Sequence, residues 1–150
     1  MMLIRRGALF LILATGFAPA VHAACAAGGG MLFSCLTGKG KQVELCDEGK
    51  TIAYAFGRPD ETPELALRVP REQASTSQWD GIGRYESYAV DVPNGDTVYS
   101  VFWSRDKLAD APGVEAGVYV LRKGRLIATV QCAPGRVDSR LQGVRLKPGE

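Results

Sequence analysis

The chain has no apolar run long enough to cross a membrane as a helix, and it has a single histidine among its 150 residues. Its N-terminal apolar stretch is interrupted by Gly16 and Pro19, short of the roughly 20 residues that a span needs. That stretch follows Arg5-Arg6 and precedes Val21-His22-Ala23, a pattern typical of a cleavage site. The sequence therefore predicts a signal peptide over residues 1–23, and we expect a periplasmic or secreted product with no stable membrane insertion.

Cleavage after Ala23 would leave no histidine and would reduce the 18 basic residues to 16, equal to the 16 acidic ones. The balanced charge gives no indication of nucleic-acid binding. Without histidine, Ser-His-Asp and Cys-His catalysis and most hydrolytic zinc sites are excluded. The acidic residues show no spacing typical of a glycosidase pair. We therefore expect a protein that is not an enzyme and holds no cofactor.

Four cysteines would remain in the mature chain: Cys25, Cys35, Cys46 and Cys132. An even number in an oxidising compartment favours two disulfides. Zinc binding is the rival interpretation, but the chain has no Cys-x-x-Cys pair and no histidine to complete such a site, so we expect no metal. Lipidation of Cys25 is a further alternative. His22-Ala23-Ala24 lacks the apolar residue that a lipobox places three positions before the cysteine.

Eight segments alternate apolar and polar residues with a period of two, which is typical of half-buried strands: 31–36, 42–46, 51–56, 65–69, 88–92, 97–103, 117–121 and 126–131. The fifth and sixth flank Asn94-Gly95, where we expect positive φ angles in a tight hairpin. Residues 71–78 are polar and are expected to form a loop or a helical turn. The predicted fold is all-β: an eight-stranded antiparallel meander that closes into a disulfide-tied barrel, since closure removes exposed edges.

We assign the barrel domain to residues 24–132 and a loosely ordered C-terminal tail to residues 133–150, which are rich in glycine, proline and arginine. Four apolar residues of that tail could dock on the barrel: Val137, Leu141, Val144 and Leu146.

An aromatic and basic cluster marks the central strands: Tyr85, Tyr88, Tyr99, Phe102 and Trp103, with Arg84 and Arg105 beside them. One interpretation is that about half of these rings belong to the core, as a period of two requires. The other is that the glycine-rich segment 79–83 is a loop that inserts into a partner, because loops on rigid scaffolds often carry function and Tyr, Trp and Arg are frequent hot spots. Both interpretations stay open.

The chain resembles the membrane-bound and periplasmic inhibitors of C-type lysozyme from bacterial envelopes. The likeness begins at Phe33-Ser34-Cys35, passes through the apolar strand 52–56 and a Gly-x-Arg-Tyr-like loop from Gly81 to Tyr85, and continues with Phe102-Trp103-Ser104-Arg105 to the final Cys132. The resemblance implies an eight-stranded barrel in which Cys35 bonds Cys132. Cys25 and Cys46 would then form an added bridge, and the competing pairing joins Cys35 to Cys46.

In that family a loop serine and a basic residue enter the lysozyme cleft. The resemblance implies that Arg105 is the basic residue and Tyr85 the loop tyrosine, whereas the serine position falls on Gly81, which has no hydroxyl. Asp80, Arg84 or Ser87 could substitute for it.

We therefore expect an exported protein that binds and inhibits a lysozyme-type muramidase. The expected contact residues are Asp80, Gly81, Gly83, Arg84, Tyr85, Ser104 and Arg105. The alternative is a structural or ligand-binding envelope protein that inhibits nothing.

Overall fold

The computed structural model describes residue 25, residues 29–111 and residues 113–149. The predicted signal peptide and its cleavage site lie outside these residues. The strands are β1 Gly30–Thr37, β2 Gln42–Asp47, β3 Thr51–Gly57, β4 Leu65–Pro70, β5 Ser75–Gln78, β6 Tyr85–Asn94, β7 Thr97–Asp106, β8 Val114–Arg122, β9 Arg125–Ser139 and β10 Lys147–Pro148. A 3-10 turn, Arg71–Gln73, joins β4 to β5. The all-β prediction is confirmed.

All ten strands belong to one curled sheet, in the order β10-β5-β6-β7-β8-β9-β1-β2-β3-β4. Every neighbouring pair is antiparallel except β10 with β5. The prediction of eight strands was wrong because β5 and β10 lack the apolar alternation that marked the others. β5 forms because it pairs with β6, where the Thr76 hydroxyl also donates to the Ala89 carbonyl at 2.7 Å. Tertiary pairing here outweighs a weak local preference for strand.

The predicted closure was also wrong, since the sheet remains an open half-barrel. Within the described residues the two edge strands, β4 and β10, are not paired with each other. The chain passes from the β4 edge to β5, which neighbours the opposite edge strand, through the 3-10 turn, where the Arg71 amide donates to the Lys50 carbonyl at 2.9 Å. Arg71 also pairs with Asp47 and donates to the Arg145 carbonyl at 2.9 Å. Side-chain and turn contacts, and not strand pairing, therefore bridge the opening of the half-barrel.

One apolar core fills the concave side of the sheet. Its strand residues alternate as the sequence predicts, with Val90 and Val92 on β6, Val101 on β7 and Val118 on β8 fully buried. Tyr54 on β3 stacks on Tyr99 of β7 with ring centroids 5.4 Å apart. The two halves of the curled sheet therefore pack against each other.

Residues 133–149, which the sequence assigns to a loosely ordered tail, form part of this fold. β9 continues past Cys132 to Ser139, and Leu141 is fully buried in the core. Gln78 of β5 donates to the Leu141 carbonyl and accepts from the Gly143 amide, at 2.9 and 2.8 Å. This segment therefore ties β9 to the β5 edge.

Two disulfides join Cys35 to Cys132 and Cys25 to Cys46. The first links β1 to β9, which are neighbours in the sheet although 97 residues separate the two cysteines. The second attaches Cys25, a residue outside the ten strands, to β2. The structure therefore has the pairing that the resemblance implied, and the Cys35–Cys46 alternative is excluded.

The β6–β7 hairpin turns through Gly95 and Asp96, with Asn94 paired to Thr97. Gly95 has φ of 62°, the positive angle required at the first central position of a type II′ turn. Among the described non-glycine residues, only Cys25 and Lys123 have positive φ. The expectation for Asn94 was therefore wrong, because it is the last residue of the strand and not a turn residue.

Candidate functional site

The candidate site lies at the end of the β6–β7 hairpin that is opposite to its turn. Tyr85 is paired with Asp106, and Glu86 with Arg105, so the loop before β6 and the loop after β7 emerge side by side. The Lys107 amide donates to the Arg84 carbonyl at 3.0 Å and closes the base of these loops. The structure thus brings the predicted loop and Arg105 to one end of the sheet. We call the surface formed by residues 79–86, 105–108 and 114 the end surface.

Arg105 is half-exposed at this surface and has two partners within the protein. Its guanidinium pairs with Glu86 and lies 5.9 Å from the centroid of the Trp103 ring. Tyr88 donates its hydroxyl proton to Glu86 at 3.0 Å. The hydrogen bonds from Arg105 and Tyr88 lower the pKa of the Glu86 carboxyl, so that it remains ionised. Arg105 therefore has an internal carboxylate partner, which sequence reasoning missed because Glu86 is distant along the chain.

A second ion pair lies beside the first. Arg84 makes a forked contact with Asp106, with nitrogen–oxygen distances of 2.6 to 2.9 Å, and its guanidinium lies 5.6 Å from the centroid of the Tyr85 ring. The hydrogen bond from Arg84 lowers the pKa of the Asp106 carboxyl. A bidentate arrangement fixes orientation as well as distance. Arg84 therefore fastens the loop to the end of β7.

The loop over residues 79–84 has a defined shape. The Trp79 indole donates to the Ile82 carbonyl at 2.8 Å, and the Ile82 amide donates to the Asp80 carboxylate at 3.0 Å. Gly81 and Gly83 have φ of 90° and 93°, angles that L side chains rarely adopt. A serine at position 81 would therefore be strained, so the departure from the family pattern coincides with a requirement of the backbone.

The alternation of side chains divides the predicted residues between two faces of the hairpin. Arg105 and Glu86 share the concave side with Trp103, whereas Ser104 and Tyr85 point to the outer side. Ser104 lines a depression of the outer face together with Ser87 and Phe102. Tyr85 and Arg105 thus lie at the same end of the hairpin but on opposite faces.

Exposed apolar side chains are concentrated at the end surface. Four of the seven large apolar residues exposed among those described lie there: Ile82 at 78%, Leu108 at 73%, Tyr85 at 59% and Val114 at 45%. Leu108 and Val114 were not among the predicted contact residues. They lie within or beside residues 107–111 and 113, which lie outside the strands and whose composition gives no alternating pattern. Such clustering is typical of an interaction surface.

Lys107 adds a cation to this end, since its ammonium lies 4.2 Å from the centroid of the Trp79 ring. Three cation–ring contacts therefore lie at or next to this end: Lys107 with Trp79, Arg84 with Tyr85, and Arg105 with Trp103.

The described residues include no group of three or more His, Cys, Asp or Glu side chains arranged to hold a metal ion. No helix in the described part of the chain is long and apolar enough to span a membrane. All four cysteines are in disulfides, so none is a free nucleophile.

Comparison of the chain with protein-family models, with curated proteins and with solved structures finds no match. The geometry of the chain itself therefore has to support any proposal about its function.

Proposed function

We propose that this chain is an exported, non-catalytic protein that binds and inhibits a lysozyme-type muramidase through its end surface. The observation that carries the proposal is the meeting of Ile82, Tyr85 and Leu108, all strongly exposed, with the guanidinium groups of Arg84 and Arg105 at one end of a rigid sheet. Tyr and Arg are frequent hot spots of protein interfaces, and exposed apolar patches commonly mark them.

The proposed class of target follows from the positive charge of Arg105. A glycosidase that works with two carboxylates keeps acidic side chains in its cleft, and a guanidinium that enters it can pair with them. Arg105 already contacts Glu86 through Nη2, but a guanidinium has five N–H donors, so it can serve a second carboxylate at the same time. In the proposed complex, Arg105 bridges Glu86 and an acid of the partner.

The loop would contribute mainly by shape and apolar contact, because Gly81 provides no hydroxyl. Ile82 at the tip is exposed, and the hydrogen bonds from Trp79 and to Asp80 hold it in place. A loop that is already ordered loses less conformational entropy on binding than one that orders in the complex.

The proposed location is the periplasm or the cell exterior. Two disulfides form and persist in an oxidising compartment, which supports this assignment.

Inhibition of cell-wall lysis by C-, G- and I-type lysozymes tests the proposal. Arg105→Ala should weaken inhibition by roughly 2 to 5 kcal/mol, about 30-fold or more in the inhibition constant, because a partner carboxylate loses its cation in a desolvated cleft. Arg125→Ala is the matched control, since Arg125 is an exposed residue at the start of β9, paired with Arg122 at the end of β8 that is opposite to Val114, and it should inhibit as the parent does. Circular dichroism should establish that each variant is folded at the assay temperature.

Glu86→Gln provides the opposite perturbation, because it removes the carboxylate that competes for Arg105. It should inhibit at least as strongly as the parent, although it loses an internal ion pair.

The alternative function, a structural or ligand-binding envelope protein, is favoured by the internal pairing of Arg105. With Glu86 and the Trp103 ring as partners, Arg105 would serve to cover the mouth of the core. In that case Arg105→Ala would lower thermal stability, and the parent would inhibit none of the three lysozymes. That outcome would lead us to abandon the inhibitor proposal.

A further inference from the structure

A shallow groove lies on the outer face of β5 to β8, away from the core. It consists of two open depressions of about 260 and 660 Å³, and Ser77, Ser100 and Tyr119 line both of them. One cross-strand row runs along the groove from Ser75 through Asp91 and Ser100 to Tyr119. Four neighbouring strands thus contribute one side chain each to a continuous row.

The groove exists because its floor is made of small side chains. The row beside the first contains Ser77, Ala89, Phe102 and Gly117, and serine, alanine and glycine are poorly suited to strand centres. Gly117 cannot carry a side chain, since a Cβ there would lie 2.0 Å from the carbonyl oxygen of the neighbouring β9. Apart from Gly117, which packing against β9 requires, these residues point away from the core, so core packing does not select them.

An aromatic platform lies beside Gly117 on the outer face. The ring of Tyr119 stacks on that of Phe102 with centroids 4.1 Å apart and planes inclined by 5°. Phe102 is thereby buried on the outer face, with 6% of its surface exposed, whereas Tyr119 keeps 37%. Tyr119 therefore presents an apolar surface to both depressions.

The polar groups of the groove are available to a ligand. The hydroxyls of Ser87, Ser100 and Ser104 form no hydrogen bond with another described residue, and Asp91 receives only a long contact of 3.5 Å from Ser75. Water must satisfy these groups when the groove is empty. A ligand that displaces this water has to replace its hydrogen bonds.

The lining also excludes several classes of ligand. It contains one carboxylate, Asp91, and one ammonium, Lys147, and so lacks the positive charge that a nucleic-acid backbone requires. Serine and alanine are depleted in protein interfaces, yet they make up six of the eighteen lining residues here. An apolar ligand would leave the serine hydroxyls unpaired, which is unfavourable. The complementary ligand is uncharged, rich in hydroxyls and bears an apolar face.

We propose that this outer groove binds a neutral oligosaccharide. The C–H face of a sugar ring would lie against Tyr119, and sugar hydroxyls would exchange hydrogen bonds with Ser100 and Asp91. The site is separate from the end surface, and the proposal does not rest on inhibition of a muramidase.

Titration of the ¹⁵N-labelled protein with uncharged tetrasaccharides, β-1,4-linked glucose and β-1,4-linked N-acetylglucosamine, tests the proposal by NMR. At least one should shift the amides of Ser77, Ser100 and Tyr119 in a saturable manner. Tyr119→Ala should weaken that sugar's binding about tenfold, the loss expected for one ring contact. Ile127→Ala is the matched control, since Ile127 is an exposed apolar residue that lines neither depression, and it should bind as the parent does.

Ser100→Leu is a second variant that leaves the aromatic pair intact and fills the centre of the groove, so it should abolish binding. The proposal is overturned if neither sugar shifts these amides, if the shifts map to residues 79–86 instead, or if Ser100→Leu binds as well as the parent.

Discussion

Removal of the Cys35–Cys132 disulfide should destabilise the protein far more than removal of the Cys25–Cys46 disulfide. In the chain-entropy model the free-energy contribution of a disulfide grows with the logarithm of the loop it closes. The sequence separations are 97 and 21 residues, which correspond to about 4.7 and about 3.3 kcal/mol respectively. Loop length alone thus predicts a difference of about 1.4 kcal/mol.

The fold should widen this difference. Cys35 is buried with 2% of its surface exposed and links strand β1 to its neighbour β9, whereas Cys25 lies outside the ten strands. Replacing Cys35 or Cys46 by alanine removes a buried sulfur atom in each case, but only Cys35 belongs to the main core cluster, so its loss adds the larger cavity term. The Cys25–Cys46 bond fastens a residue that no strand pairing holds. Its loss therefore raises the conformational entropy of the native chain as well as that of the unfolded chain.

Urea unfolding of the two double variants, Cys35→Ala/Cys132→Ala and Cys25→Ala/Cys46→Ala, measures this difference. The first should lose about 5 kcal/mol and could be largely unfolded without urea, since domains of this size are stable by 5 to 15 kcal/mol. The second should lose at most about 3 kcal/mol and remain folded without urea, with a midpoint between those of the parent and the first variant. Equal losses, or a larger loss for the Cys25–Cys46 variant, would refute the reasoning.

Two further predictions concern single positions. Gly117→Ala should reduce stability by about 3 kcal/mol, because the added methyl group collides with the backbone of β9. Gly38→Ala is the control, since Gly38 is a turn glycine with open space around it, and it should change the urea midpoint little. Similar midpoints for the two variants would contradict the packing argument. The folded-state pKa values of Glu86 and Asp106 are lowered, so their contribution to stability is present at neutral pH and is lost as the pH falls below the ordinary carboxyl pKa of about 4. The urea midpoint of the parent should therefore fall more between pH 7 and pH 3 than that of Glu86→Gln, and an identical fall in both would rule out this contribution from Glu86.

The eight alternating strands and the hairpin position at Gly95 were readable from the sequence, because each depends on local chemistry. A period of two places one face of a strand in the core whatever strand lies beside it, and a positive φ selects glycine locally. The even number of cysteines likewise indicated two disulfides. The pairing of Cys35 with Cys132 came from a resemblance and not from spacing.

Other features were decided only by the tertiary structure. β5 has no apolar alternation and exists because β6 provides its hydrogen-bond partners, and Leu141 is buried because the chain after β9 crosses to the β5 edge. Whether the sheet closes depends on how two edges far apart in sequence meet, which no single segment encodes.

The candidate sites also depend on contacts between residues that are far apart in the sequence. Arg105 could be selected as a basic residue on an aromatic strand, but its ion pair with Glu86 arises from the register between β6 and β7. The groove floored by Ser100 and capped by Tyr119 requires four strands to align their small side chains in rows. By itself, the sequence determined which residues could be in strands and which could face the core. Only the fold decided which side chains meet, because those meetings join residues far apart along the chain.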